Sequence, residues 1–314
     1  MPPAAVGPSA TAPSSPPGTA PACPATGAEP SVAIPAGLGR PGWWRGRVFY
    51  ELFVRSFADS DGDGIGDLRG ATARLDYLND GDPATTDDLG VTGIWLMPVA
   101  ESPSYHGYDV TDYYGVDPEY GTRDDFRRLV AEAHRRGIRV IVDMVLNHSS
   151  SRHPWFRHAS LHRDSPWRDW YVWEPAHPGV KNPWGGDNWH RADDGSWYYG
   201  FFWGGMPDLN WRNPAVLEEM KRVATWWLDS MGVDGFRLDA IKFLVEGEKG
   251  RRPHHMPETH AVLREWAAHV RQVKPGAFTV GEVWDPVDSL LPYYPDQLDS
   301  YFTFDLADSI LAAV

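Results

Sequence analysis

A single cysteine, Cys23, stands among the 314 residues, so no internal disulfide framework holds this chain together and thiol usage does not fix its compartment. Long apolar runs are also missing. None approaches the roughly 18 residues of a membrane span, so no transmembrane segment is expected. Positive charge is scarce, with 29 Lys and Arg against 43 Asp and Glu and a formal net charge of −14. The basic residues form no stripe, which argues against nucleic acid or an anionic membrane surface as partner. The N-terminus lacks a basic segment followed by an apolar one, so no signal peptide is visible. An extracellular or cell-envelope location is the expectation, with the cytoplasm as the alternative. What is present is a 42% hydrophobic composition, enough for a large core. Neutral, polyhydroxylated ligands remain open, and a monomer is the default expectation.

Residues 1–40 are rich in Pro, Ala, Ser, Thr and Gly and poor in large apolar side chains. Such a segment cannot bury enough surface to offset the entropy of ordering, and it reads as a disordered tail or linker. Folded sequence begins near Trp43, and residues 48–54 read as the first strand. Its exit carries Asp59-Ser-Asp-Gly-Asp-Gly-Ile-Gly-Asp67, in which acidic residues alternate with small ones. Asp59, Asp61, Asp63 and Asp67, with the carbonyl of Ile65, imitate the first nine positions of a calcium-binding helix–loop–helix. The twelfth position is Gly70 rather than a bidentate Glu, and a strand comes before the loop. The expectation is therefore one structural Ca2+ in a loop of another architecture, with a solvated acidic turn as the alternative.

Leu68, Ala71, Leu75 and Leu78 recur at helical spacing and predict the first crossover helix, followed by a strand over residues 91–98. The loop His106-Gly-Tyr-Asp-Val-Thr-Asp-Tyr113 comes next, and its aromatic and polar groups suit a sugar ring as well as ordinary packing. Thr122 with Asp125 reads as a capping box opening a helix that Gly137 ends. The third strand, residues 138–148, carries Asp143 inside and Asn147 and His148 at its exit. From His148 to about Met206 the strand–helix rhythm stops. Eight of the sixteen tryptophans fall in this insertion, at 155, 167, 170, 173, 184, 189, 197 and 203. Its length predicts a small subdomain over the active face, most of its tryptophans serving packing and the rest offering faces for sugars. Asn213-Pro214 is a helix start, and residues 257–273 are a further helix.

The stretch Gly232-Val-Asp-Gly-Phe-Arg-Leu-Asp-Ala-Ile-Lys242 organises the rest. It reads as a buried parallel strand carrying Arg237 and Asp239 toward the open end of a barrel. Taken alone, the pair is equally compatible with an ion pair that only ties strands. A second strand, Phe278-Thr-Val-Gly-Glu-Val-Trp284, ends in Glu282, and one strand–helix–strand unit separates the two carboxylates. Strands joined by one crossover are usually neighbours, with ends about 4.8 Å apart. A retaining glycosidase needs its nucleophile and acid roughly 5–5.5 Å apart. Residues 300–305 predict a sixth strand.

Asp143-Met-Val-Leu-Asn-His148, Met206-Pro-Asp-Leu-Asn210, Gly235-Phe-Arg-Leu-Asp239 and Gly281-Glu-Val-Trp284 together resemble the family 13 glycoside hydrolases, the α-amylase family, from about Trp43 onward. The resemblance implies a (β/α)8 TIM barrel with an insertion after strand three, divided into 41–148 (barrel, first part), 149–206 (insertion) and 207–314 (barrel, second part). It implies Asp239 as nucleophile and Glu282 as general acid/base. Tyr108, Asp109, His148, Arg237 and Lys242 become substrate contacts, with Asp143 and Asn147 supporting them. Only about six of eight βα units are present, and with strands seven and eight the family's His-Asp pair, which supplies a third carboxylate, is missing. The chain thus reads as a truncated member, expected to be unstable or inactive alone. The expected substrate is an α-1,4-glucan or maltooligosaccharide. An α-glucosidase or oligo-1,6-glucosidase and a trehalose synthase are alternatives, as is a non-catalytic relative, against which the presence of both carboxylates counts.

Overall fold

The computed structural model describes residues 42–251 and 254–313. The proposed N-terminal tail lies outside them. Six strands form one parallel sheet: β1 (Phe49–Leu52), β2 (Gly93–Leu96), β3 (Arg139–Met144), β7 (Gly235–Leu238), β8 (Phe278–Gly281) and β9 (Ser300–Tyr301), in that spatial order. This is an incomplete (β/α)8 barrel, with β1 and β9 at its edges among the described residues. The remaining strands, β4 (Trp173–Glu174), β5 (Trp189–Arg191) and β6 (Trp197–Tyr199), make an antiparallel sheet in the insertion, in the order β4-β6-β5.

Alternation along each barrel strand sorts side chains to two faces. Leu52, Ile94, Leu96, Val140, Val142, Phe236 and Leu238 belong to the large core shared with the crossover helices. Ile141, Phe278 and Val280 belong instead to a separate cluster inside the curve of the sheet, with Trp43, and Phe49, Trp95 and Phe302 pack against it. The same inward parity carries Asp143, Arg237, Asp239 and Glu282 toward the strand exits.

Helix boundaries follow local chemistry. Thr122 and Asp125 form a complete capping box at the head of helix Arg123–Arg135, and Gly137 follows at φ +74°. Asn213 accepts from the Ala215 amide at the start of Pro214–Asp229, and Pro257–Val273 opens with proline in its first turn. Two expectations need correction. The first crossover helix is two short helices, Leu68–Ala73 and Leu75–Leu78, broken at Arg74, although all four predicted core positions are buried. The strand expected over 300–305 ends at Tyr301, because Phe304 begins the helix Phe304–Ala313. No helix of the described residues is long and apolar enough to cross a membrane.

Candidate active site

Gly235 opens β7 at φ +151°, where a Cβ would sit 1.8 Å from the Phe278 carbonyl oxygen. Only glycine lets β7 and β8 approach this closely. The register Leu238↔Gly281 then leaves Asp239 and Glu282 side by side at the exits, while Arg237 lies opposite Asp143 on β3. The Arg237 guanidinium joins all three carboxylates. Its Nη1 donates to both oxygens of Asp143 at 2.9 and 3.0 Å and to Asp239 Oδ1 at 2.7 Å, and its Nη2 donates to Glu282 Oε2 at 2.7 Å. The Tyr108 hydroxyl and the Trp95 indole N–H also donate to Asp143, at 3.2 and 3.1 Å. Directly after Asp239, Ala240 takes a left-handed conformation at φ +49°, and its N–H donates to Glu282 Oε2 at 3.2 Å. A residue with a Cβ held there stores strain, and here the strained amide contacts the carboxylate.

Burial raises the Glu282 carboxyl above the usual range, against the pull of Arg237 and helped by the charge of Asp239. The same influences carry the enclosed Asp143 up to about 7. Asp143 and Asp239 keep Arg237 firmly protonated in spite of its own burial. His148 is buried and brought down to about 4, so it is neutral at neutral pH. Its Nε2 lies 3.2 Å from the Tyr108 carbonyl, which can only accept, so Nε2 carries the proton and Nδ1 accepts from Asn147 Nδ2 at 3.3 Å. Asn147 Nδ2 also donates to the buried Asp208 at 3.1 Å.

A cavity of about 720 Å³ opens over these groups. Tyr108, His148, Asp239 and Glu282 line its barrel side, and Trp184, Phe202 and Trp203 line its roof. Two of the eight insertion tryptophans therefore face this cavity, while Trp189 is buried. Lys242 lines it too, but its Nζ is engaged by the Trp284 carbonyl at 2.7 Å and by Asp285 Oδ2 at 2.5 Å. Asp109 does not line it. Its carboxylate accepts from the hydroxyls of Ser102 and Ser104 and borders a neighbouring smaller cavity instead. Sequence reasoning missed the Trp95 contact and also Glu51, whose carboxyl is raised by burial, with Arg237 opposing and Glu282 reinforcing. Inward parity on β1 and β2 was the available signal for both.

In the acidic loop, Asp59, Asp61 and Asp67 can each bring an oxygen within 4.8 Å of the others. Asp63 is not part of that group, and its Oδ1 accepts from the Ile65 amide at 2.7 Å. The amides of Gly62 and Gly64 hold the Asp59 carboxyl below its usual range. Asp67 is also lowered, by the amides of Gly70 and Ser60 in spite of partial burial. Gly66 packs so tightly that a Cβ would meet the Val54 carbonyl oxygen at 2.1 Å. The loop is thus clamped on the segment after β1, with carboxyl oxygens of three aspartates converging, a donor set that fits a hard divalent cation.

Residues 51–313 match the family profile described as alpha amylase, catalytic domain. "Alpha-amylase 3" of Dictyoglomus thermophilum is 44% identical over 272 residues, which are 87% of this chain and 50% of that protein. "Trehalose synthase/amylase" of Mycolicibacterium smegmatis is 40% identical over 87% of this chain and 46% of its own length. The crystal structure of an alpha-amylase from H. orenii is 49% identical and superimposes with a TM-score of 0.76 over 85% of this chain and 53% of that one. The chain spans about half the length of the curated relatives it matches.

Proposed function

Because the chain belongs to the family of alpha-amylase catalytic domains, we propose that it carries the nucleophile and the acid/base of a retaining glycosidase acting on α-1,4-linked glucans and maltooligosaccharides. The observation that carries this reading is the single guanidinium of Arg237 joining two adjacent carboxylates at the mouth of the sheet. Asp239, bonded to that cation, attacks the anomeric carbon as a carboxylate. Glu282, with its raised affinity for a proton, protonates the departing glycosidic oxygen as the C–O bond breaks. The glycosyl ester on Asp239 is then opened by water, whose proton returns to Glu282. Each cycle thus consumes one water and restores both groups.

His148, proton on Nε2, and the ring of Tyr108 flank the sugar at the point of cleavage. Asp143 acts through Arg237 and Tyr108, which it fixes by hydrogen bonds, and Asn147 orients His148. Lys242 borders the leaving-group side beside Trp284. Asp59, Asp61 and Asp67 would hold one structural Ca2+, which would neutralise their mutual repulsion. The similarity to "Trehalose synthase/amylase" supports a second reading, isomerisation of maltose through the same two carboxylates.

The test is a product time course of the full-length protein on amylose, maltose and isomaltose. Mixed maltooligosaccharides, first appearing as the α-anomer by NMR, support the amylase reading. Glucose alone, with full activity on isomaltose, indicates an oligo-1,6-glucosidase, and conversion of maltose to a non-reducing disaccharide indicates a trehalose synthase. First products as the β-anomer would refute retention.

A further inference from the structure

A second groove, larger than the catalytic cavity at about 1100 Å³, runs between the insertion and the barrel helices. Trp155, Trp167 and Trp170 line it from the insertion, and no residue of the catalytic cavity takes part. The three indoles are half-buried and braced rather than loose. Trp155 stacks on Tyr113 at 5.7 Å between ring centres and 18° between planes, and Trp170 meets Trp155 edge-on at 4.7 Å. Glu101, Glu219 and Arg152 line it with them, so donors, acceptors and aromatic rings share one groove and charges of both signs are present. That mixture suits a chain of pyranose rings, with an apolar face and a rim of hydroxyls, better than a polyanion.

The groove is not isolated from the catalytic cavity. An intermediate cavity of about 440 Å³ shares Trp203 with the catalytic cavity and shares Pro103 and Arg152 with the groove. The three therefore follow one another through shared walls, with Asp109 on the wall of the middle one.

We propose that this groove is a second, non-catalytic binding site for α-glucan, receiving a length of the chain that passes from the catalytic cavity over Trp203 and Arg152. The proposal rests on the glucan reading of the catalytic site. Short oligosaccharides fill only the catalytic cavity, whereas long chains engage both, so the groove favours polymeric over short substrates.

The experiment compares the unmodified full-length protein with its Trp167→Ala and Arg152→Ala variants. Retardation in gels containing amylose, and turnover of a maltotrioside bearing an activated leaving group, are measured for each. Losing one aromatic platform should weaken retention on amylose about fivefold, while turnover of the short substrate stays unchanged. Unchanged retention in both variants overturns the proposal. Hydrogen exchange on the unmodified protein keeps the test independent of folding defects. Amylose should protect the peptide spanning residues 152–170, and maltotriose should not. Equal protection by the two, or none, refutes a second site. Failure of the unmodified protein to cleave or bind any glucan would instead overturn the catalytic reading, a distinct result.

Discussion

Arg237→Leu removes the cation that joins Asp143, Asp239 and Glu282. The side chain of Asp143 is fully buried and that of Asp239 nearly so, at 0% and 12% exposure, so solvent cannot take over the role of the guanidinium. Removing one partner from a buried ion pair costs about 3–5 kcal/mol, because the other charge is left without compensation. The cost must depend on pH. In the variant the carboxyls of Asp143 and Glu282, already raised in the presence of Arg237, lose the influence that opposed burial and rise further. A carboxyl whose folded value exceeds its unfolded value of about 4 contributes stability below that value and loses it as pH climbs through the folded one. The variant's deficit relative to the unmodified protein should therefore approach its full size at pH 8 and shrink toward pH 5. Urea titrations of both proteins at the two pH values measure it. Adding Asp143→Asn should recover part of the deficit at pH 8 and little at pH 5. A deficit below about 1 kcal/mol, or one of equal size at both pH values, refutes the argument that Arg237 acts by compensating buried charge.

Three other outcomes follow from the geometry. In a full-length version of the protein, Asp239→Asn should lower turnover by several orders of magnitude yet retain maltooligosaccharide binding by calorimetry, because it removes the nucleophile and spares the cavity. His148 has its folded value depressed to about 4, so its stabilising contribution is present above about 6.5 and is lost as pH falls toward 4; between pH 7 and pH 5 the loss is about 2 kcal/mol, and a His148→Gln variant should show a correspondingly flatter acid limb in urea titrations. Asp61→Ala should make the melting temperature insensitive to added Ca2+ while leaving initial rates at low temperature nearly unchanged; a melting temperature that still rises with Ca2+ would place the ion elsewhere.

Much of this architecture was legible because it rests on local chemistry. The Thr122–Asp125 box, the Asn213-Pro214 start and the parity of Asp143, Arg237 and Glu282 each follow from a few adjacent residues. Other features depend on partners distant in the chain. Nothing in the sequence near Arg74 announces the break, which its backbone makes at φ −110° and ψ 10°. Residues 302–305 are apolar enough for a strand, but Phe304 starts a helix and its ring stacks on Trp284 at 4.9 Å. Asp109 reads as a cavity residue until the hydroxyls of Ser102 and Ser104 turn its carboxylate aside. The length and composition of the insertion indicated that most of its tryptophans would serve packing, but not which cavity each would face.

The pairing of β3 with β7 also bears on how the chain reaches this state. Arg237 and Asp143 touch across 94 residues of sequence, so their contact closes a long loop whose entropy must be met before the contact returns any energy. Most of that loop is the insertion together with the helix Pro214–Asp229, and both have short-range structure of their own. If the insertion collapses first on its local pairings, the ends of β3 and β7 are brought together early and the effective loop shortens. The part of the chain that roofs the cavity would then also set the rate at which the carboxylates meet, and loosening it would slow folding before it altered catalysis.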